Sequence, residues 1–411
     1  MITDKKHLKC GLLGEKLSHS FSPQIHSELS DYSYSLIEKS ECEVGEFLKN
    51  GDFFAINVTI PYKKTVMPYL AEISEEARRI GSVNTITRRP DGSLRGDNTD
   101  YYGFLYTVRL SGIKIEGKKV LILGTGGASL TARTVCEDLS AKEIIFVSRS
   151  GEVNYERLYE KHADAEVVIN CTPVGMYPKN GASPIVLDSL KSCEGVIDMI
   201  YNPARTKLLL DAERLGIKCI NGLSMLVAQA KRACELFLGE SIDDGEIERI
   251  TALIARQTRN IVLVGMPGCG KSTVGDLLSS MTGRRVIDTD VEIKKKEGRT
   301  PSEIIKTDGE EAFRRIESQV VAEVGKTSGV IISTGGGVVT RQENYSPLHQ
   351  NGVIVFIDRD VSSLATADRP LSVDLEALYK KRLPMYRDFC DIEVSNSSTA
   401  DACAKEILIK I

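Results

Sequence analysis

A chain of 411 residues is too long for one small binding module and long enough for two to three domains of ordinary size. Its composition, 42% hydrophobic and 27% charged, is that of a globular protein and excludes a disordered or collagen-like chain. Lys plus Arg number 53 against 57 for Asp plus Glu, a formal net charge of -4 without long runs of one sign, so no nucleic-acid surface is expected.

From the N-terminus, residues 1–14 break up their apolar positions with Asp4, Lys5, Lys6 and Lys9, which does not match a signal peptide. The longest apolar runs are strand-sized, so no bilayer span and no membrane partner are expected. Apolar strands are predicted at 120–123, 144–147, 167–169, 261–264, 330–332 and 353–357, alternating with amphipathic helices. That rhythm, with strands rich in Val and Ile, gives an α/β class with mostly parallel sheets. A helix over 241–256 joins the two halves without a Gly, Ser or Pro-rich spacer. Ten cysteines show no Cys-x-x-Cys pair and no adjacent His, which favours a reduced, cytoplasmic setting over a disulfide framework or a zinc site. His19 and His26 lack metal partners at ligand spacing and read as structural.

In the first half, Gly124, Thr125, Gly126, Gly127 and Ala128 follow a strand and open a helix, with Ser129 where the dinucleotide fingerprint has a third small residue. The segment fits either a dinucleotide loop or a structural turn. The next strand ends in Ser148, Arg149 and Ser150. An acid there would hold a free ribose hydroxyl, whereas Arg149 suits a 2′-phosphate, so NADP(H) is expected rather than NAD. One charge-assisted hydrogen bond of about 1.5–3 kcal/mol gives roughly a ten- to hundredfold preference.

Further motifs lie in order along this half: Gly14 to Pro23 with Ser20 and Ser22, Asn57 to Lys63, Gly81 to Thr85, Gly96 to Asp100, Asn170 to Met176, Asp198 to Tyr201, and Gly222 to Gln229. Together they resemble shikimate dehydrogenase over residues 9–256. The resemblance implies Lys63 as acid/base residue with Asp100 as its partner, since a Lys needs a neighbour to tune it for proton exchange near neutral pH. It also implies Ser20 and Ser22 on the substrate carboxylate, Thr59, Asn84, Asp100 and Gln229 on its hydroxyls, Tyr201 near the substrate and Gly222 near the nicotinamide. Three departures stand out: a short interval from Arg149 to Asn170, Val153 where a second basic residue is common, and Tyr101 where a Gly usually follows the Asn-Thr-Asp motif.

In the second half, Gly265, Gly268, Cys269, Gly270, Lys271, Ser272 and Thr273 carry the pattern G-x-x-x-x-G-K-[ST] between a strand and a helix. Backbone N–H groups would cradle ATP phosphates, Lys271 would reach the terminal ones, and Ser272 would ligate Mg²⁺. Cys269 sits inside that cradle, either as a thiol of raised reactivity or as a small tolerated residue. With Asp288, Thr289 and Asp290, then residues 313–317, then Gly335, Gly336 and Gly337, the half resembles shikimate kinase over residues 260–411. The resemblance implies Asp288 at Mg²⁺, Asp290 as the candidate base, and Arg314, Arg382 and Gly336 on the shikimate carboxylate, with Glu317 orienting Arg314. It further implies Arg369 as a lid arginine reaching ATP, on a lid shorter than is usual in that family.

The expected architecture is a substrate-binding domain at 1–102, a Rossmann-type NADP domain at 103–222, closing helices at 223–258 and a P-loop kinase domain at 259–411. The expected activity is NADPH-dependent reduction of 3-dehydroshikimate to shikimate, then ATP-dependent phosphorylation to shikimate 3-phosphate, with small molecules as the only partners and the oligomeric state open. The alternative is a quinate/shikimate dehydrogenase of broader range fused to a nucleotide-sensing P-loop module.

Overall fold

The computed structural model of the chain describes residues 5–17, 20–364 and 375–411. Packing divides it into two compact units. The first takes the chain up to Val174, with Ser183–Tyr201 and Asp211–Ile254; the second takes Gly175–Ala182, Asn202–Leu210 and Ala255–Ile411.

Among the described residues of the first unit are two sheets. One holds β1 (Lys9–Gly14), β2 (Ser33–Glu38), β3 (Ala55–Val58), β4 (Glu72–Ile73), β5 (Thr85–Arg88) and β6 (Leu94–Asp97) in the order β2-β1-β3-β5-β6-β4. It is mixed: β1 runs parallel to β2 and β3, whereas β5 is antiparallel to both β3 and β6. The other holds β7 (Lys119–Leu123), β8 (Glu143–Val147), β9 (Val167–Asn170), β10 (Gly195–Asp198) and β11 (Lys218–Ile220) in the order β11-β10-β9-β7-β8, parallel throughout. The short interval after Arg149 contains the helix Arg157–Lys161 and an isolated bridge between Val147 and Val153 but no further strand, so β8 ends the sheet. The helix Gly127–Asp138 crosses from β7 to β8, burying Ala132 and Val135 as its periodicity requires.

The helix Asp100–Ser111 packs on Leu223–Leu238, and Gly103 makes that approach possible, since a Cβ there would lie 2.7 Å from the Met225 carbonyl oxygen. His26 is buried, stacked on Tyr34 at 3.9 Å and bonded through Nδ1 to the Tyr32 hydroxyl at 2.6 Å. Burial pushes its pKa down to about 3, so it is a neutral core residue. His19 lies outside the described residues.

The described residues of the second unit form one parallel sheet of β12 (Asn260–Val264), β13 (Val286–Asp288), β14 (Ile331–Ser333), β15 (Gly352–Asp358) and β16 (Ile392–Ser395), ordered β13-β14-β12-β15-β16. The chain leaves β12 between two neighbours that belong to opposite wings of the sheet, which opens a crevice at its carboxyl end. The helix Lys271–Thr282 begins there, burying Val274 and Leu278, while Met281 near its last turn is 38% exposed. The linking helix runs Gly245–Thr258, shifted by a few residues from the expected span. All ten cysteines are free thiols, and no described helix is long and apolar enough to cross a membrane.

Two candidate active sites

In the first unit the carboxyl ends of β1 and β3 lie side by side, with Leu13 opposite Val58. Thr59 follows β3 and its amide donates to the Leu13 carbonyl at 2.9 Å. Ser20 and Ser22 lie at the start of the helix Ser22–Leu29, where the Ser22 amide donates to Ser20 Oγ at 3.2 Å. Lys63 is anchored by its carbonyl, which accepts from the Val83 amide at 2.8 Å. Its Nζ reaches Asp100 Oδ2 at 2.6 Å, with side chains 24% and 14% exposed. Asp100 opens its helix, where a carboxylate is favoured by the helix dipole.

Around that pair, Asn84 is buried and its Oδ1 accepts from the Thr99 amide at 2.7 Å, while Thr99 Oγ1 donates to Gln229 Oε1 at 3.4 Å. Asn84, Thr99 and Gln229 therefore share one polar network, and the Lys63–Asp100 pair adjoins it in sequence, Asp100 directly following Thr99. Tyr201 packs its ring 5.9 Å from that of Phe21, which ties it to the serine segment. Gly222 has no room for a side chain, because a Cβ would overlap the Met199 carbonyl.

The glycine turn after β7 is joined to the end of β8, since the Gly124 amide donates to the Val147 carbonyl at 2.8 Å. Gly124 has φ +100°, whereas Cβ atoms at Gly126 and Gly127 would meet only open space. Thr125 is exposed and Ala128 half-buried at this opening, and exposed Arg149 follows β8 beside it. The geometry fits a dinucleotide diphosphate with a 2′-phosphate at Arg149. Ser129, the departure from the fingerprint, is buried and donates its Oγ to the Gly126 carbonyl at 2.6 Å, which braces the turn.

The second unit surrounds a cavity of about 480 Å³ lined by Gly268, Gly270, Lys271, Ser272, Thr273, Asp288, Asp290, Arg314, Gly336 and Arg382 among others. Lys271 Nζ is folded onto the carbonyls of Gly265 and Met266 at 2.9 and 3.0 Å. Ser272 Oγ lies 3.4 Å from Asp288 Oδ2, and Asp288 also caps the next helix by accepting from the Asp290 amide at 2.9 Å. Two adjacent hard oxygens fit Mg²⁺, which takes one or two protein ligands beside water and phosphate.

Arg314 Nη1 donates to Glu317 Oε2 at 2.6 Å, and the two side chains are 6% and 0% exposed. Burial alone would lower the Arg314 pKa, but Glu317 and Glu310 hold it above its ordinary value. Burial pushes the Glu317 carboxyl up, against the pull of Arg314 and with a further push from Asp290. A Cβ at Gly337 would overlap the Arg314 guanidinium, and one at Gly335 would sit 2.6 Å from Glu317 Oε1 and 3.3 Å from Asp290 Oδ1. The glycine triplet thus lets charged groups converge on the cavity wall. Arg382 Nη1 donates to the Gly336 carbonyl at 3.2 Å.

Three residues of this site were not singled out by the sequence. The Tyr386 hydroxyl donates to the same Gly336 carbonyl while its ring stacks on Phe356 at 4.9 Å. Asn396 Nδ2 donates to the Cys269 carbonyl at 2.8 Å, and Arg359 lines the cavity beside the phosphate loop. Cys269 itself is fully buried, with its sulfur 3.8 Å from Lys271 Nζ, so only its backbone borders the loop. Arg369 lies outside the described residues, and of the span from Arg369 to Arg382 expected to form the lid the described part, from Leu375 on, is the start of the helix Leu375–Phe389.

The shikimate kinase family model matches residues 267–411, and the model of the shikimate dehydrogenase substrate binding domain matches residues 12–86. A shikimate dehydrogenase (NADP(+)) of Clostridium perfringens is 39% identical over 261 residues, covering 58% of this chain and 96% of the relative. A chorismate mutase/shikimate 5-dehydrogenase fusion protein from Clostridium acetobutylicum is 36% identical in its crystal structure, with a TM-score of 0.57, over 60% of this chain and 97% of that one. The Thermus thermophilus shikimate 5-dehydrogenase, solved in complex with NADP(H) and shikimate, is 28% identical with a TM-score of 0.54, over 60% of this chain and 99% of that one. With the Lys63–Asp100 pair in the first unit and the phosphate loop in the second, these matches place the chain in the shikimate dehydrogenase family, with a shikimate kinase domain forming its C-terminal part.

Proposed function

We propose that the chain reduces 3-dehydroshikimate to shikimate with NADPH and phosphorylates shikimate to shikimate 3-phosphate with MgATP, within the domain limits 1–102, 103–222, 223–258 and 259–411. The observation that carries the reading is the cavity of the second unit. One space is lined by a phosphate loop, an acid and two buried arginines, which suits a nucleoside triphosphate beside a small polyol carboxylate. The dehydrogenase relatives of the first half act on that same polyol.

In the reduction, Ser20 and Ser22 hold the substrate carboxylate while Thr59, Asn84 and Gln229 hold its hydroxyls. Lys63 gives a proton to the carbonyl oxygen as it becomes a hydroxyl, and Asp100 keeps the ammonium aimed at that atom. Tyr201 borders the substrate. NADPH, when bound, supplies the hydride. Thr125, Gly126, Gly127 and Ala128 turn backbone N–H groups to its diphosphate while Gly124, its own amide held by Val147, makes the turn that presents them, Arg149 takes the 2′-phosphate, and Gly222 borders the nicotinamide.

In the phosphorylation, Arg314, Arg382 and the Gly336 backbone hold the shikimate carboxylate, and Asp290 accepts the proton of the attacking hydroxyl. Gly268, Cys269, Gly270 and Thr273 cradle the ATP phosphates, with Lys271 on the terminal ones. Ser272 and Asp288 hold the magnesium, which when bound neutralises phosphate charge.

The test is a mass analysis of products after the purified chain meets 3-dehydroshikimate, NADPH and MgATP. Shikimate 3-phosphate is the expected product. Shikimate alone overturns the kinase half of the reading, and absence of product overturns the dehydrogenase half.

Cofactor choice gives a second expected result. Arg149→Ala lowers kcat/KM for NADPH by roughly ten- to a hundredfold and leaves that for NADH unchanged, because one charge-assisted contact is lost and Val153 supplies no substitute. An unchanged ratio in steady-state kinetics with the two cofactors overturns the assignment of Arg149.

A further inference from the structure

Tyr101 directly follows Asp100 and has no part in the chemistry above. Its hydroxyl donates to Asp138 Oδ2 at 2.7 Å. The same carboxylate receives both terminal nitrogens of Arg79, Nη1 to Oδ2 at 3.2 Å and Nη2 to Oδ1 at 2.6 Å. Three elements meet at that carboxylate. Arg79 lies in the helix Glu75–Ile80, Tyr101 is the second residue of Asp100–Ser111, and Asp138 is the last residue of Gly127–Asp138, whose first residue belongs to the glycine turn.

Asp138 is poorly placed for its own helix. An anion at a helix C-terminus opposes the macrodipole, and no basic residue stands in that last turn. The compensating charge comes from Arg79 on another element. Hydrogen bonding to Arg79 holds the Asp138 carboxyl below its ordinary range. Burial, with a further push from Asp138, raises Tyr101 to about 12, so its hydroxyl remains a donor near neutral pH. Arg79 and Asp138 are 43% and 31% exposed, so the cluster adds little to global stability and its value is orientation.

We infer that Arg79, Tyr101 and Asp138 form a positioning latch for hydride transfer, fixing the helix that carries the glycine turn against the helix that begins with Asp100. The inference rests on the dehydrogenase reading. A helix is a stiff rod with a rise of about 1.5 Å per residue, so a shift at Asp138 tilts the glycine turn at its other end. Hydride transfer is sensitive to that placement, since a misfit of about 1 Å costs up to a hundredfold in rate.

The test uses the full chain with Tyr101→Phe, Arg79→Met and Asp138→Asn, singly and in pairs. Shikimate oxidation with NADP⁺ is expected to fall roughly three- to tenfold in each single variant, with a larger primary deuterium isotope effect on kcat. Adding Tyr101→Phe or Arg79→Met to Asp138→Asn costs nothing more, because both act through that carboxylate. Hydrogen exchange supplies a readout independent of turnover. In Tyr101→Phe the last turn of Gly127–Asp138 and the first turn of Asp100–Ser111 exchange faster together. Additive losses, or faster exchange confined to the substituted turn, overturn the latch. If the unsubstituted chain turns over no shikimate, the dehydrogenase reading falls and the role in hydride transfer with it, whereas turnover that the variants leave unchanged overturns the latch alone.

Discussion

Lys63→Met is expected to lower NADPH-dependent reduction of 3-dehydroshikimate by about 10²- to 10⁴-fold, the range for loss of a positioned proton donor. Methionine keeps the unbranched stem and removes the ammonium that lies 2.6 Å from Asp100 Oδ2. Asp100 retains access to water and the bond from its own amide to Asn98 Oδ1 at 3.1 Å, so the change does not strand a fully buried charge. The loss falls on kcat, with KM for 3-dehydroshikimate changed far less, because Ser20, Ser22, Asn84 and Gln229 still hold the substrate. Phosphorylation of supplied shikimate by the same preparation stays at its original rate, which serves as the folding control. Equal loss of both activities would mark Lys63 as structural.

The second large effect is expected at Asp290. Asp290→Asn removes the acceptor for the hydroxyl proton while preserving size, and shikimate phosphorylation falls by about 10²- to 10⁴-fold. ATP affinity, measured by calorimetry, stays unchanged because the phosphate loop and Ser272 are untouched. The buried Glu317 carboxyl is held up first by burial and also by Asp290, so the substitution relaxes that push and leaves the Arg314 pair intact. Dehydrogenase activity remains at the level of the unsubstituted chain. If Asp290→Asn phosphorylates shikimate at the original rate, Asp290 is not the base. If the unsubstituted chain binds ATP and never turns over shikimate, the nucleotide-sensing alternative takes its place.

What the sequence made legible follows from how local each signal is. Lys271 and Ser272 lie within one turn whose glycines, strand and helix are contiguous, so spacing alone places them at a cavity. The short interval after Arg149 was equally readable, and β8 ends its sheet as that interval requires. Lys63 and Asp100 were paired through the resemblance, because no periodicity connects residues brought together across the β3, β5 and β6 ladder.

Long-range groups were the ones missed. Tyr386, Asn396 and Arg359 reach the kinase cavity from elements far along the chain, and a buried tyrosine at helical spacing reads as core until its hydroxyl is seen on Gly336. Tyr101 was visible as a departure, but its partner Asp138 was hidden by sequence distance. The thiol of Cys269 turns inward, a direction that no motif states.

Lys271 gives the phosphate loop an internal stand-in for its guest. With its ammonium on the Gly265 and Met266 carbonyls, the strongest cation of the cradle is already bonded and 8% exposed. On the proposed reading, nucleotide entry is a trade of acceptors, carbonyl oxygens for phosphate oxygens, and does not require desolvating a fully hydrated ammonium at that moment. The lysine closes the loop from within, and on that reading a neutral residue at its position would remove the nucleotide's contact and the brace in one change.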